Sequence, residues 1–482
     1  MSFVSVGFYI FILLFVLIYY IVPIKHRWTI LLGASLLFYY TLDKQGFPRL
    51  LGTVIFSYMV AMLLAHCKKK GIKNKTQKLI LVVSVVLVLL PLFVVKEGNF
   101  ITTELLHGGV REYIVPIGIS FYTLQIIGYL VDVYKGRTIC QKNPAKYMLF
   151  VTYFPQIIQG PIPRYEKMKQ LFVGHFFDEV AFSKGCHLII WGFFLKMMIA
   201  DKAAVVVDTV FLSFDIYKGW YILLAGILYS IQLYTDFQAC VCIAKGVSAL
   251  FGINLDDNFK HPYFSQSTKE FWSRWHISLS LWLRDYIYIP LGGNRKGAIR
   301  KWINLYIVFI VSGMWHGAGY KYIVWGIMHA TYQLIGSITE PYRNRFYQCL
   351  HIEERSALQV FVKQCFTFLA VMFAWIIFRA DTLQEGMDMI VSIFTVWNPW
   401  VIFSDQIFTL GLDWKDFVVL LISCIVLIRV SCLQEKGSVS DLILRQHLIV
   451  RWGIYIISII GIMIFGTYGF GFNAQDFIYG GF

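Results

Sequence analysis

Apolar runs of helix length, separated by short polar loops, make up nearly the whole chain. A bilayer-spanning helix needs about 20 mostly apolar residues. Runs that approach this length lie at 3–22, 28–42, 50–66, 79–95 and 113–133, and again at 185–200, 220–250, 302–314, 322–338, 360–378, 417–430 and 452–470. The pattern predicts an all-α polytopic membrane protein with about 11–12 transmembrane helices. The stretches 153–163 and 272–290 mix apolar residues with prolines and polar groups, and read as re-entrant pieces. Non-helical backbone at membrane depth survives only where protein buries it or a wet cavity receives it. A core built around a cavity is therefore expected, rather than a plain bundle. No linker, soluble segment or internal repeat interrupts the pattern, so residues 1–482 read as one integral membrane domain.

Composition agrees. The chain is 58% hydrophobic and 15% charged, with a mean hydropathy of +0.63. Soluble domains carry about 25% charged residues. Aromatic residues reach 17%, suited to helix packing and to the membrane–water boundary. The net charge of +15 raises nucleic-acid binding and then excludes it, because the basic residues sit in short loops between apolar runs. Lys25 to Arg27, six lysines from Lys68 to Lys78, and Lys135 to Lys146 follow the first, third and fifth runs. Strict alternation puts all three loops on one side, which should be the cytoplasm, with both termini outside. The first run has neither a basic lead nor a small-residue cleavage site and reads as a retained helix. Nine scattered cysteines show no zinc or haem spacing, so neither a metal nor a structural disulfide is expected.

Ionisable residues inside apolar segments are functional candidates by default. His276 lies in a Trp-rich stretch, and His316 follows Trp315 between Gly313 and Gly319. Imidazoles exchange protons near neutral pH, so the two suggest acid/base chemistry within the bilayer. Drawn as one helix at about 100° per residue, 271–283 places Trp272, Trp275, Leu279, Trp282 and His276 together. Arg274 and Asp285 then fall opposite and can pair; the bland reading is an interfacial helix with a hydrogen-bonded histidine. Glycines beside His316 permit close approach of a ligand, or simply tight helix packing. His329 is 13 residues beyond His316, roughly 20 Å along one continuous helix. It joins His316 only if Gly317 and Gly319 break that helix, and otherwise reads as structural. Asp236 needs a partner in its apolar run: a histidine to orient, an arginine, or an intramembrane salt bridge. Arg295 and Lys296 lead a basic cluster placed to meet an anionic donor, or merely to anchor the loop.

With these segments in view, the chain resembles the membrane-bound O-acyltransferase family, in its bacterial polysaccharide branch. The likeness rests on Gly128-Tyr-Leu-Val-Asp-Val-Tyr-Lys-Gly136, on Tyr153-Phe-Pro-Gln-Ile-Ile-Gln-Gly-Pro-Ile-Pro-Arg164, on the long block from Arg274 to Arg295, and on Trp315-His-Gly continuing to Trp325-Gly-Ile-Met-His329. It is strongest over residues 110–340. One departure stands out: Asp236-Phe237 is followed by Gln238-Ala-Cys-Val-Cys242, where close relatives carry a Ser-Gly-Tyr-Ser-Asp-like run.

The resemblance implies tilted helices around a central tunnel. It implies His316 as the catalytic histidine and His276 at the second polar position, which is Asn in eukaryotic relatives. Trp275, Trp315, Asp236, Arg284, Asp285 and His329 are then expected to support the site or line the tunnel, with Arg295 and Lys296 on the donor side. The implied activity is O-acetylation of an extracellular or cell-envelope polysaccharide. The donor is a cytoplasmic acetyl-CoA or carrier-protein thioester; no bound cofactor is implied. The expected partners are membrane lipids, an extracellular SGNH-type esterase-like protein and the polysaccharide acceptor. D-alanyl transfer to teichoic acid is the neighbouring alternative. A transporter, or a scaffold of a polysaccharide export complex, is the alternative of another class.

Overall fold

A computed structural model of the chain describes residue 3 and residues 5–102, 115–353 and 356–468. Every regular element among the described residues is helical. Two compact units emerge, one from residues 1–189 with 240–257, the other from 190–239 with 258–478.

The first unit holds α1 (Val6–Ile21), α2 (Arg27–Leu42), α3 (Phe47–Lys69), α4 (Asn74–Phe100), α5 (Ile119–Lys135), α6 (Pro144–Thr152), α7 (Tyr165–Met168) and α8 (Glu179–Phe193, whose last turn enters the second unit). Each expected run of this unit falls on a helix, with starts displaced by up to six residues. Tyr113 and Ile114, at the expected start of the fifth, lie outside the described residues. The stretch 153–163 is buried and non-helical, as the re-entrant reading requires. Neighbouring side chains satisfy it: Tyr153 donates to Ser248 Oγ at 3.1 Å, and Ser35 Oγ accepts from Phe154 N at 3.1 Å. The three basic loops meet on one side. The Lys68 ammonium lies against Gly136, Tyr134 donates to Asn74 Oδ1 at 2.8 Å, and Lys146 sits 5.4 Å from the Trp28 ring centre.

The second unit begins with a π-helical stretch, Phe194–Ala200, and continues with α9 (Asp201–Leu212) and α10 (Trp220–Leu250, of which residues 220–239 belong here). It goes on through α11 (Thr268–Arg274), α12 (Ile277–Leu283), α13 (Gly297–His316), α14 (Tyr320–Cys349), α15 (Ala357–Arg379) and α16 (Leu383–Thr395). It closes with α17 (Trp414–Gln434), α18 (Val439–Leu444) and α19 (Leu448–Phe465); residues 469–470 and the tail beyond lie outside the described residues.

Apolar side chains face outward on both units. Ile21 is 80% exposed, Leu421 62% and Ile457 74%. Water would not tolerate such surfaces, whereas hydrocarbon does. Six described helices, α3, α4, α10, α15, α17 and α19, are long and apolar enough to cross a membrane. This is an integral membrane protein.

Candidate active site

The site lies within the second unit. Ser267 caps α11 by accepting from Glu270 N at 3.1 Å, which starts the helix just ahead of the tryptophans. The helix stops at Arg274. Trp275 is extended, and His276 takes the left-handed conformation at φ 43° before α12 begins at Ile277. That departs from the single helix expected over 271–283, and its angular arithmetic fails across the break. Asn258 holds the restart. Its carbonyl accepts from Ile277 N at 2.9 Å, and its Oδ1 accepts from Ser278 N at 3.0 Å and Ser278 Oγ at 2.8 Å. The expected Arg274–Asp285 pair is overturned for the same reason. Arg274 pairs with Glu270 at 2.9 Å and Glu435 at 2.6 Å, and Asp285 pairs with Arg284 at 3.0 Å.

His316 is the last residue of α13. Gly317 and Gly319 turn the chain, Gly319 at φ 100°, and α14 returns alongside. The break on which a shared site depended is therefore present, and His329 comes back beside the ring system of His316. Helix contact is tight because two glycines face backbone: Gly313 lies against the Tyr322 carbonyl, and Gly326 against that of Phe309.

The three imidazoles join one aromatic cluster. His276 and His329 are 0% exposed and His316 is 3% exposed. The Trp315 ring centre lies 4.9 Å from that of His316 and 6.0 Å from that of His276. Trp325 lies 5.2 Å from His316 and 4.9 Å from His329. Phe237 packs on His276 at 4.9 Å, and Phe378 on His316 at 5.3 Å. Trp275 stacks on Phe271 at 5.3 Å and meets Trp375 at a tilt at 5.2 Å. Trp272 Nε1 donates to His329 Nδ1 at 3.2 Å, which leaves the proton of a neutral His329 on Nε2.

Asp236 sits in a buried ion cluster. Lys196, from the π-helical stretch, bridges Asp236 at 2.7 Å and Asp201 at 2.9 Å, and all three side chains are at most 5% exposed. The salt-bridge reading of Asp236 is the one the structure supports, with lysine in place of the expected arginine or histidine. Its neighbour Phe237 carries the contact to His276. Arg295 and Lys296 are exposed at the start of α13, about 30 Å along the axis from His316.

Sequence reasoning missed Lys196, Phe237, Trp325 and Phe378. Lys196 carried a usable signal, a lone cation in an apolar run. Trp325 lay inside a quoted motif. Phe237 and Phe378 carried none, since phenylalanine occurs throughout the chain.

The cluster combines buried bases with a water-poor, apolar surround, which suits proton transfer at a bond kept from hydrolysis. The family model "MBOAT, membrane-bound O-acyltransferase family" matches residues 139–379. The chain is 35% identical to the probable alginate O-acetylase AlgI of Pseudomonas putida, over 81% of this chain and 79% of that protein. It is 31% identical to the peptidoglycan O-acetyltransferase of Helicobacter pylori, over 75% and 72%. It is 28% identical to the teichoic acid D-alanyltransferase of Bacillus subtilis, over 55% and 69%.

Proposed function

The chain belongs to the membrane-bound O-acyltransferase family, and from that premise we propose that it O-acetylates an extracellular or cell-envelope polysaccharide. The observation that carries the site assignment is the burial of His316, His276 and His329 in one aromatic cluster at the turn of the α13–α14 hairpin. The acetyl identity rests on relatives. Those named for O-acetyl chemistry match at higher identity and over more of the chain than those named for D-alanyl transfer.

In this reading the donor is a cytoplasmic thioester, acetyl-CoA or an acetylated carrier protein. An acceptor hydroxyl attacks the thioester carbonyl carbon while His316 takes its proton. The C–O bond forms, the C–S bond breaks, and the proton passes to the departing thiolate. General-base help of this kind is worth about 10²–10⁴-fold. His276 holds the carbonyl or stabilises the oxyanion as charge develops. The acceptor is the serine of an SGNH-type partner on the outer face, or a glycan hydroxyl directly. Trp275, Trp315, Asp236, Arg284, Asp285 and His329 serve as supporting groups. The basic loops that meet on one side of the first unit support a cytoplasmic assignment for that side, with the termini outside.

The test compares base-released acetate and D-alanine from envelope and secreted polysaccharide in wild-type, deletion and His316→Ala strains. Acetate lost from both mutants, with the variant still in the membrane, is the expected result. Normal acetate in a stably expressed His316→Ala strain would sink the proposal. Loss of D-alanine instead would move the protein to teichoic acid chemistry.

A further inference from the structure

Of the three non-glycine residues with positive φ among the described residues, His261, His276 and His351, only His276 is buried. A left-handed backbone at such a residue is strained and persists only where its surroundings fix it. Residues 258–260 run beside 274–277 and supply that hold. Asn258 O accepts from Ile277 N at 2.9 Å, and Arg274 O accepts from Lys260 N at 2.9 Å. A helix ordinarily takes its N-terminal cap from the side chain of the residue that starts it. The His276 side chain makes no such bond to α12. Asn258 provides the cap from outside the helix, its Oδ1 accepting from both Ser278 N and Ser278 Oγ.

These bonds use one end of the amide. An atom that accepts twice from Ser278 is the carbonyl oxygen, so the other end is Nδ2, with two N–H donors. Asn258 is fully buried, and no acceptor among the described residues meets its Nδ2. Buried donors are almost always paired, because an unmet one bears its full desolvation cost. Capping employs the oxygen alone and leaves the donor end unexplained. Its surroundings are those of the histidines: Phe259, the next residue, packs on Phe237 at 5.0 Å, and Phe237 on His276 at 4.9 Å. Trp325 Nε1 and His329 Nε2 are likewise buried in that cluster without an acceptor. Donors held ready in an apolar, water-poor site are what a developing oxyanion requires.

We propose that Asn258 is a further catalytic residue: its oxygens fix the backbone at His276, and its Nδ2 donates to the carbonyl oxygen of the acyl group under attack. The assignment rests on the acyl-transfer reading. As the acceptor hydroxyl adds to the carbonyl carbon, the C=O π pair moves onto oxygen. The hydrogen bond from Nδ2 to that oxygen strengthens, and its proton stays on nitrogen. When the C–S bond breaks, the thiolate leaves with that bonding pair and the carbonyl re-forms.

Two variants separate the roles. Asn258→Asp keeps the shape and the acceptor, and Asn258→Ser keeps an uncharged acceptor; neither has Nδ2. At least one should melt near the wild-type temperature in detergent, whereas Asn258→Ala, which loses both roles, should melt lower. If Asp and Ser variants melt as low as the Ala variant, the donor end is holding the fold and the proposal falls. In the variant that stays folded, kcat for acetyl transfer should drop about 10²–10³-fold with little change in KM, the loss expected when one oxyanion donor is removed. Wild-type turnover, or a raised KM with unchanged kcat, overturns the proposal. A second readout needs no turnover. Acetonyl-dethio-coenzyme A carries a methylene in place of the thioester sulfur and keeps the carbonyl. With that carbonyl isotopically labelled, its infrared stretch should lie lower in the wild-type protein than in the folded variant; equal frequencies overturn the proposal. A lowered stretch in a wild-type protein that transfers no acetyl retains the carbonyl contact and discards the acetyl-transfer reading. Normal transfer by the folded variant retains that reading and discards the contact.

Discussion

Gly326→Ala should disable the enzyme while leaving it in the membrane. Gly326 lies on α14 directly after Trp325, the ring shared by His316 and His329. A β-carbon at this position would stand 2.8 Å from the Phe309 carbonyl carbon and 3.2 Å from Ile310 N. Carbon atoms rest at about 3.5–4.0 Å, so α13 and α14 must part by about 1 Å. Because the obstacle is helix backbone, no side chain can swing aside. Overpacking of this kind costs about 1–3 kcal/mol, which a large membrane bundle survives. The chemistry is less forgiving: a 1 Å displacement of positioning groups lowers rate by about 10²-fold. The assay is acetate release per unit of membrane-inserted protein, beside Gly453→Ala on α19, where nothing lies within 4 Å of the added carbon. Near-normal turnover in a folded Gly326→Ala protein would refute the claim that hairpin spacing sets the geometry of the site.

The remaining expectations concern the buried ions and the left-handed histidine. Lys196→Met removes the cation shared by two buried carboxylates and should cost about 3–5 kcal/mol, read as a lower melting temperature in detergent. Adding Asp201→Leu and Asp236→Leu should restore most of it; a tolerated single variant would show that the cluster is not the buried network described. His276→Asn and His276→Leu should both lose activity. The Leu variant alone should also lose stability, by about 1–2 kcal/mol, because Asn accepts the left-handed conformation and Leu does not. Equal melting temperatures would mean that the backbone at residue 276 relaxes freely.

Apolar run length located nearly every long helix, because lipid imposes one strong rule on backbone and side chain alike. The histidine blocks were legible because an imidazole is costly among tryptophans and leucines. The break at His276 was not, since Trp275-His276-Ile277 contains neither Gly nor Pro. The left-handed turn is set by Asn258, 18 residues earlier, and no local pattern reveals it. Histidine and asparagine both visit that region more readily than most residues. Of the two partners of Arg274, Glu270 stands four residues back on the same helix, whereas Glu435, 161 residues away, was equally hidden. α16 was missed because its 13 residues fall short of a span.

The Lys196–Asp201–Asp236 cluster also sets an order of assembly. A lone charge at the bilayer centre costs about 2.5–3.5 kcal/mol on insertion scales. The segment carrying Lys196 brings one partner of its own, Asp201 at 2.9 Å, and gains the second only later. Asp236 arrives only with α10, 40 residues later in synthesis. Until then Lys196 rests on Asp201 alone, and the arrival of Asp236 completes its two buried ion pairs. The ion cluster in this sense carries a sequence of its own: the pair within one segment can form first, and the tie to α10 follows.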